Sequence, residues 1–175
     1  MPPHCDSLDG PVVTAARNAL TQENVDLILP FVKKNGEPEV RAAFDLAVKA
    51  RSQGSEAQQV ADRYFFETTV RVHRAGEGAP FTGLKPAGLD VGPVIPIAEK
   101  AVAARSPVDL IDFLTSAVRA EVTARFDAML DAEKRASRSV DDEREYVEAM
   151  LGLEVWSHKL YGAAKAAPHA SHEHG

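Results

Sequence analysis

The strongest constraint on the fold is the stretch from residue 76 to 92, dense in glycine and proline, which separates two long tracts rich in Ala, Leu, Glu and Arg. Such a stretch cannot continue a helix, because proline lacks a backbone donor and glycine loses the most conformational entropy on ordering. The flanking tracts lack the two-residue alternation of β-branched residues that strands need, and their apolar residues recur at helical spacing. The chain is therefore expected to be all-α, a helical bundle with a long Gly/Pro loop between two halves.

Local punctuation places helices over residues 11–20, 23–33, 39–53, 55–75, 93–104, 107–135 and 140–164. Pro11 occupies a favoured first-turn position with Asp9 near the cap, and Pro30 kinks or ends the second helix. Gly54 and Gly76 stop the third and fourth helices, and Ser55 is expected to cap the fourth. The halves echo each other. Gly10-Pro11-Val12-Val13 parallels Gly92-Pro93-Val94-Ile95, Val25-Asp26-Leu27-Ile28 parallels Val108-Asp109-Leu110-Ile111, and Val40-Arg41-Ala42 parallels Val118-Arg119-Ala120. Val60 and Glu67 correspond to Val147 and Glu154. The common order suggests two tandem pseudo-repeats, about 10–76 and 92–164, within one helical domain over 1–166. Residues 167–175 read as a disordered His-rich tail.

At 175 residues with 45% apolar content, the chain can bury a core of ordinary size. Its net charge of -6 argues against nucleic acid, which demands a concentrated basic surface. No apolar run reaches the roughly 18 residues of a membrane span, and no secretory leader is expected. One cysteine cannot form an internal disulfide, which points to the cytoplasm.

The chemistry-bearing residues begin at Met1-Pro2-Pro3-His4-Cys5-Asp6. A thiol, an imidazole and a carboxylate in three consecutive positions form a ready transition-metal ligand set, for Ni, Cu, Zn or Fe. In the last helix, Val147, Met150, Leu151, Glu154, His158 and Tyr161 fall on one stripe and Tyr146, Leu153, Trp156 and Leu160 on another. A helix apolar on two sides is expected to be buried. Glu154 and His158 would then be a pair one turn apart within the core, either bonded to each other or binding something. In the fourth helix Glu67 stands between Arg63 and Arg71, the pattern of an intrahelical ion-pair ladder. His73 lies beside Phe66 and Val70 at the mouth of the glycine loop, as a core histidine or a ligand. The loop itself is expected to be packed and to shape a pocket, with Arg74 and Lys85 able to attract an anion. The tail carries His169, His172 and His174, a tract of the kind that takes up metal ions in solution. No catalytic Ser-His-Asp order, zinc-protease motif, phosphate loop or Glu-x-x-His pair is present.

The segments His4-Cys5-Asp6 to Val13 and Phe65-Phe66-Glu67-Thr68 to Gly88 resemble an uncharacterised bacterial family of small all-helical proteins. That resemblance implies a fold class and no activity. More locally, His4-Cys5-Asp6 is similar to the start of nickel superoxide dismutase, with Gly10 near the expected glycine. Leu8 and Asp9 stand where that family has its second cysteine, and His4 is not the terminal residue.

Three functions follow as expectations. The first is a metal-binding helical protein, in its catalytic form a redox metalloenzyme. Here His4, Cys5 and Asp6 hold the ion, and Glu67, His73, Glu154 and His158 are candidates to complete or orient the site. The second is a non-enzymatic ligand-binding or scaffold protein, and the third a metal carrier. The expected partners are a metal ion or small molecule, with a homo-oligomer open and nucleic acid and membranes excluded.

Overall fold

The structure is a computed structural model that describes residues 3–166. Residues 167–175, with their histidines, lie outside the described residues, as do residues 1–2. Among the described residues every regular element is helical, apart from one isolated backbone bridge between Ser7 and Lys85. No helix among them is long and apolar enough to cross a membrane. The chain divides into two compact units at Gly92 and Pro93.

The first unit contains α1 (Pro11–Thr21), α2 (Glu37–Arg51) and α3 (Ser55–Gly76). Helix α1 buries Val12, Val13, Ala16, Ala19 and Leu20, one face at helical spacing, and α2 buries Val40, Ala43, Phe44 and Ala47. These faces close on Phe65, Phe66, Val70 and Val72 of α3. Phe44 and Phe65 meet edge to face with centroids 5.6 Å apart, a favoured aromatic geometry. The buried Thr69 hydroxyl donates to the Phe65 carbonyl at 2.7 Å, so the core holds that polar group without penalty.

The helix expected over residues 23–33 does not form. Glu23 takes a left-handed conformation (φ 49°), and the Asn24 amide donates back to the Ala19 carbonyl, which closes α1. Asn24 then caps the Asp26 amide, Pro30 withholds a donor, and the segment folds as 3-10 turns over Val25–Leu27, Leu29–Phe31 and Lys34–Gly36. Ser55 is the first residue of α3 rather than its cap, with Gly54 at φ 127° making the turn.

The second unit contains α4 (Val94–Ala104), α5 (Val108–Ala136) and α6 (Val140–Lys165). Arg105, at φ 50°, ends α4, and the Ser106 amide bonds the Ala101 carbonyl. Ser139 caps α6 by accepting from the Asp142 amide at 3.1 Å. The short link between α5 and α6 makes them an antiparallel hairpin. Arg135 pairs with Glu145 at its tip, and Arg125 lies 4.4 Å from the Trp156 ring centroid farther along in the same register. Tyr146, Leu153, Trp156 and Leu160 are half-buried. They form the stripe of α6 turned to α5. The other stripe is exposed apart from Met150, and the exposure of Glu154 and His158 corrects the expectation that this pair lies within a core. A two-helix hairpin can bury only one stripe of each helix.

Candidate functional site

The N-terminal segment is docked in the first unit. Residues Pro3–Asp6 form one 3-10 turn that brings His4, Cys5 and Asp6 together. The Ser7 hydroxyl donates to the His4 carbonyl at 2.9 Å, and the Gly10 amide donates to the Ser7 carbonyl at 2.9 Å. Gly10 is required there: a Cβ at this position would stand 1.9 Å from the His4 carbonyl oxygen. The hook then pairs with the glycine loop. The Lys85 amide donates to the Asp6 carbonyl at 2.8 Å, the Leu8 amide donates to the Lys85 carbonyl at 3.0 Å, and the Gly88 amide donates to Asp9 Oδ2 at 2.7 Å. The Gly88 hydrogen bond, with a second from Ser7, holds the Asp9 carboxyl below its ordinary pKa. Asp9 therefore fastens the loop instead of capping α1.

Arg74 is the residue that organises the site, whereas sequence reasoning gave it only a role with Lys85 in attracting an anion to the glycine loop. Its side chain is 6% exposed and donates from Nε to Asp6 Oδ1 at 2.7 Å, where Asp6 is 4% exposed. Its pKa is raised chiefly by the Asp6 hydrogen bond, against the effect of burial, with further contributions from the charges of Asp6, Glu77 and Cys5. The guanidinium stays charged throughout the accessible pH range. Glu77 lies 3.3 Å from Arg74 and 3.2 Å from His73 Nε2, while His73 Nδ1 donates to the Phe31 carbonyl at 2.6 Å. A chain of polar contacts thus runs from Asp6 through Arg74 and Glu77 to His73. Gly78, at φ 72°, and the bonds from the Gly78 and Ala79 amides to the Ala75 and Arg74 carbonyls close the end of α3 on which this chain is built.

Cys5 is 8% exposed, and its Sγ lies 4.0 Å from His4 Nε2. Of the other expected ligands, Glu67 is held by Arg63 at 3.0 Å, so half of the expected ion-pair ladder forms. Arg71 reaches instead to Glu39 of α2. Glu154 and His158 belong to α6 of the second unit. Among the described residues no group of three or more His, Cys, Asp and Glu side chains is placed to hold one ion.

Fold and site together define an all-α protein whose N-terminal thiol–imidazole turn is locked into a helical unit by a buried ion pair. The chain belongs to a family of unknown function, DUF6448, whose model matches residues 9–156. Neither the curated proteins nor the solved structures yield a match.

Proposed function

We propose that the first unit is a metal-binding module in which His4 Nε2 and Cys5 Sγ supply the protein ligands for one transition-metal ion. The observation that carries this reading is their 4.0 Å separation on a turn held by the Ser7 amide on the His4 carbonyl and by the Lys85 amide on the Asp6 carbonyl. A thiolate and an imidazole sharing one tetrahedral ion stand about 3.5 Å apart, from bonds of about 2.3 and 2.0 Å. Asp6 is committed to Arg74 and positions the turn; the two remaining donors leave coordination positions for water or cargo. A redox-active ion there would make the unit an oxidoreductase, and an exchangeable one would make it a carrier. Glu67 and His73 are held by partners of their own and support the helix that carries Arg74.

The test is elemental analysis of protein lacking residues 168–175, purified and reconstituted under reducing conditions with Ni, Cu, Zn or Fe. About one ion per chain is expected, with uptake falling at low pH as the ligands protonate. Cys5→Ser and His4→Ala should each abolish it without loss of helicity. Metal content unchanged in the double variant sinks the reading.

The scaffold alternative draws support from the second unit, whose long helices leave Ile111, Leu114, Phe126, Leu151 and Val155 exposed. We also infer a tandem duplication. Each unit has three α-helices in its described part, and the first α-helix of each has 11 residues and stands at a Gly-Pro step.

A further inference from the structure

The outer stripe of α6 has the spacing of a coiled-coil seam. Val140, Arg144, Val147, Leu151, Glu154, His158 and Tyr161 follow one another at alternating steps of four and three residues, the a and d positions of a heptad. None of them faces α5. Val140 is 68% exposed, Val147 38%, Leu151 47% and Tyr161 65%. An open apolar surface runs along Val140, Arg144, Val147, Leu151 and Val155 of this one helix. The seam is interrupted by one cation and one anion, Arg144 and Glu154, placed symmetrically about the Val147–Leu151 centre.

We propose that this seam is a self-association surface, on which α6 pairs antiparallel with α6 of a second copy of the chain. The charges select both occupant and direction. An antiparallel pair sets a positions against d positions, and a two-fold axis makes each contact occur twice. With the axis between Val147 and Leu151, Val147 faces the partner's Leu151, Arg144 faces the partner's Glu154, and Val140 faces the partner's His158. Two opposite-charge pairs then flank an apolar centre, one at each end. A parallel pairing would instead stack Arg144 on Arg144 and Glu154 on Glu154, placing like charges in contact. The surface is thus complementary to itself in one orientation only. The overlapping stretch of helix is about 28 Å long at 1.5 Å per residue, which places the contact at the small end of specific interfaces, near 1,000 Å².

The test is sedimentation equilibrium of the full chain over a concentration series. A reversible monomer–dimer equilibrium is expected, and a monomer at every concentration up to about 100 µM overturns the proposal. Leu151→Glu should leave helicity and Trp156 emission unchanged, because the side chain already lies on the exposed face of its own unit, and should weaken association by at least about tenfold. A dimer that survives this change is built on another face and overturns the proposal. Arg144→Glu alone should also weaken association, by roughly tenfold, and Arg144→Glu combined with Glu154→Arg should restore it. A double variant as weak as the single one rules out the antiparallel register.

Discussion

The two units use the same helical alphabet to opposite ends. The first is built on side chains withdrawn from water: Val12, Val13, Val40, Phe65, Val70 and Thr69 are all fully buried, and even an ion pair is enclosed. The second has longer helices, yet Ala132 is the one buried residue of its helices among those described. Short helices with breaks at Glu23, Pro30 and Gly54 can fold back and enclose a core from several directions. Uninterrupted helices of 29 and 26 residues pack side by side and leave their outer faces open. Helix length, and not apolar content, decides which unit is self-contained.

Truncating the core should break the comparison most visibly. Phe65→Ala removes a fully buried ring and should destabilise the first unit by about 3–5 kcal/mol, whereas Val102→Ala, at a side chain 79% exposed, should stay within about 0.5 kcal/mol. Trp156 is the one tryptophan and lies in the second unit, so its fluorescence reports that unit. In urea titrations of Phe65→Ala, the circular dichroism transition should shift while the fluorescence transition does not. Equal shifts of both signals would mean that the units unfold together.

The next effect lies at the clamp. Asp6→Ala leaves Arg74 buried with Glu77 as its remaining charged partner, and should cost about 3 kcal/mol, the lower part of the range for an orphaned buried charge. It should also release the hook, which thiol labelling of the buried Cys5 would detect as a faster reaction. An unchanged labelling rate would show that the backbone bonds to Lys85 hold the turn by themselves. The smallest effect is a pH dependence. Because the folded-state pKa of Asp9 lies below its ordinary 3.8, its contribution is complete above that value and is lost as pH falls through the lower folded value. The Gly88 amide should therefore keep its hydrogen-exchange protection down to about pH 4 and lose it only in stronger acid.

Much of the fold is legible in the sequence, and the reasons are local. Pro11, Gly54, Gly76 and Pro107 mark helix limits through backbone chemistry that any context preserves. The failure over residues 23–33 is instructive, because apolar spacing there suits a helix while Glu23 and Asn24 close the preceding one. The site was legible only in part. The cluster of His4, Cys5 and Asp6 is visible as three adjacent letters. Arg74 is not, because its partner Asp6 is 68 residues away in the chain and nothing local distinguishes it from Arg71, which is exposed. The signals that could have found it are Gly10 and Asp9, a tight-turn glycine beside a short polar side chain, which suggest that the hook folds back onto something.

The sequence by itself determined that the chain is helical, where most helices begin and end, and that α6 carries two apolar stripes. Those properties depend on contacts within one or two helical turns. Only the tertiary structure decided which stripe meets α5 and which meets water, that Asp6 and Arg74 share a buried bond, and that the N-terminal hook seats against Lys85. Each of these is a choice among partners distant in the chain, and helical periodicity, which repeats identically on both sides of α6, carries no information about which partner is present.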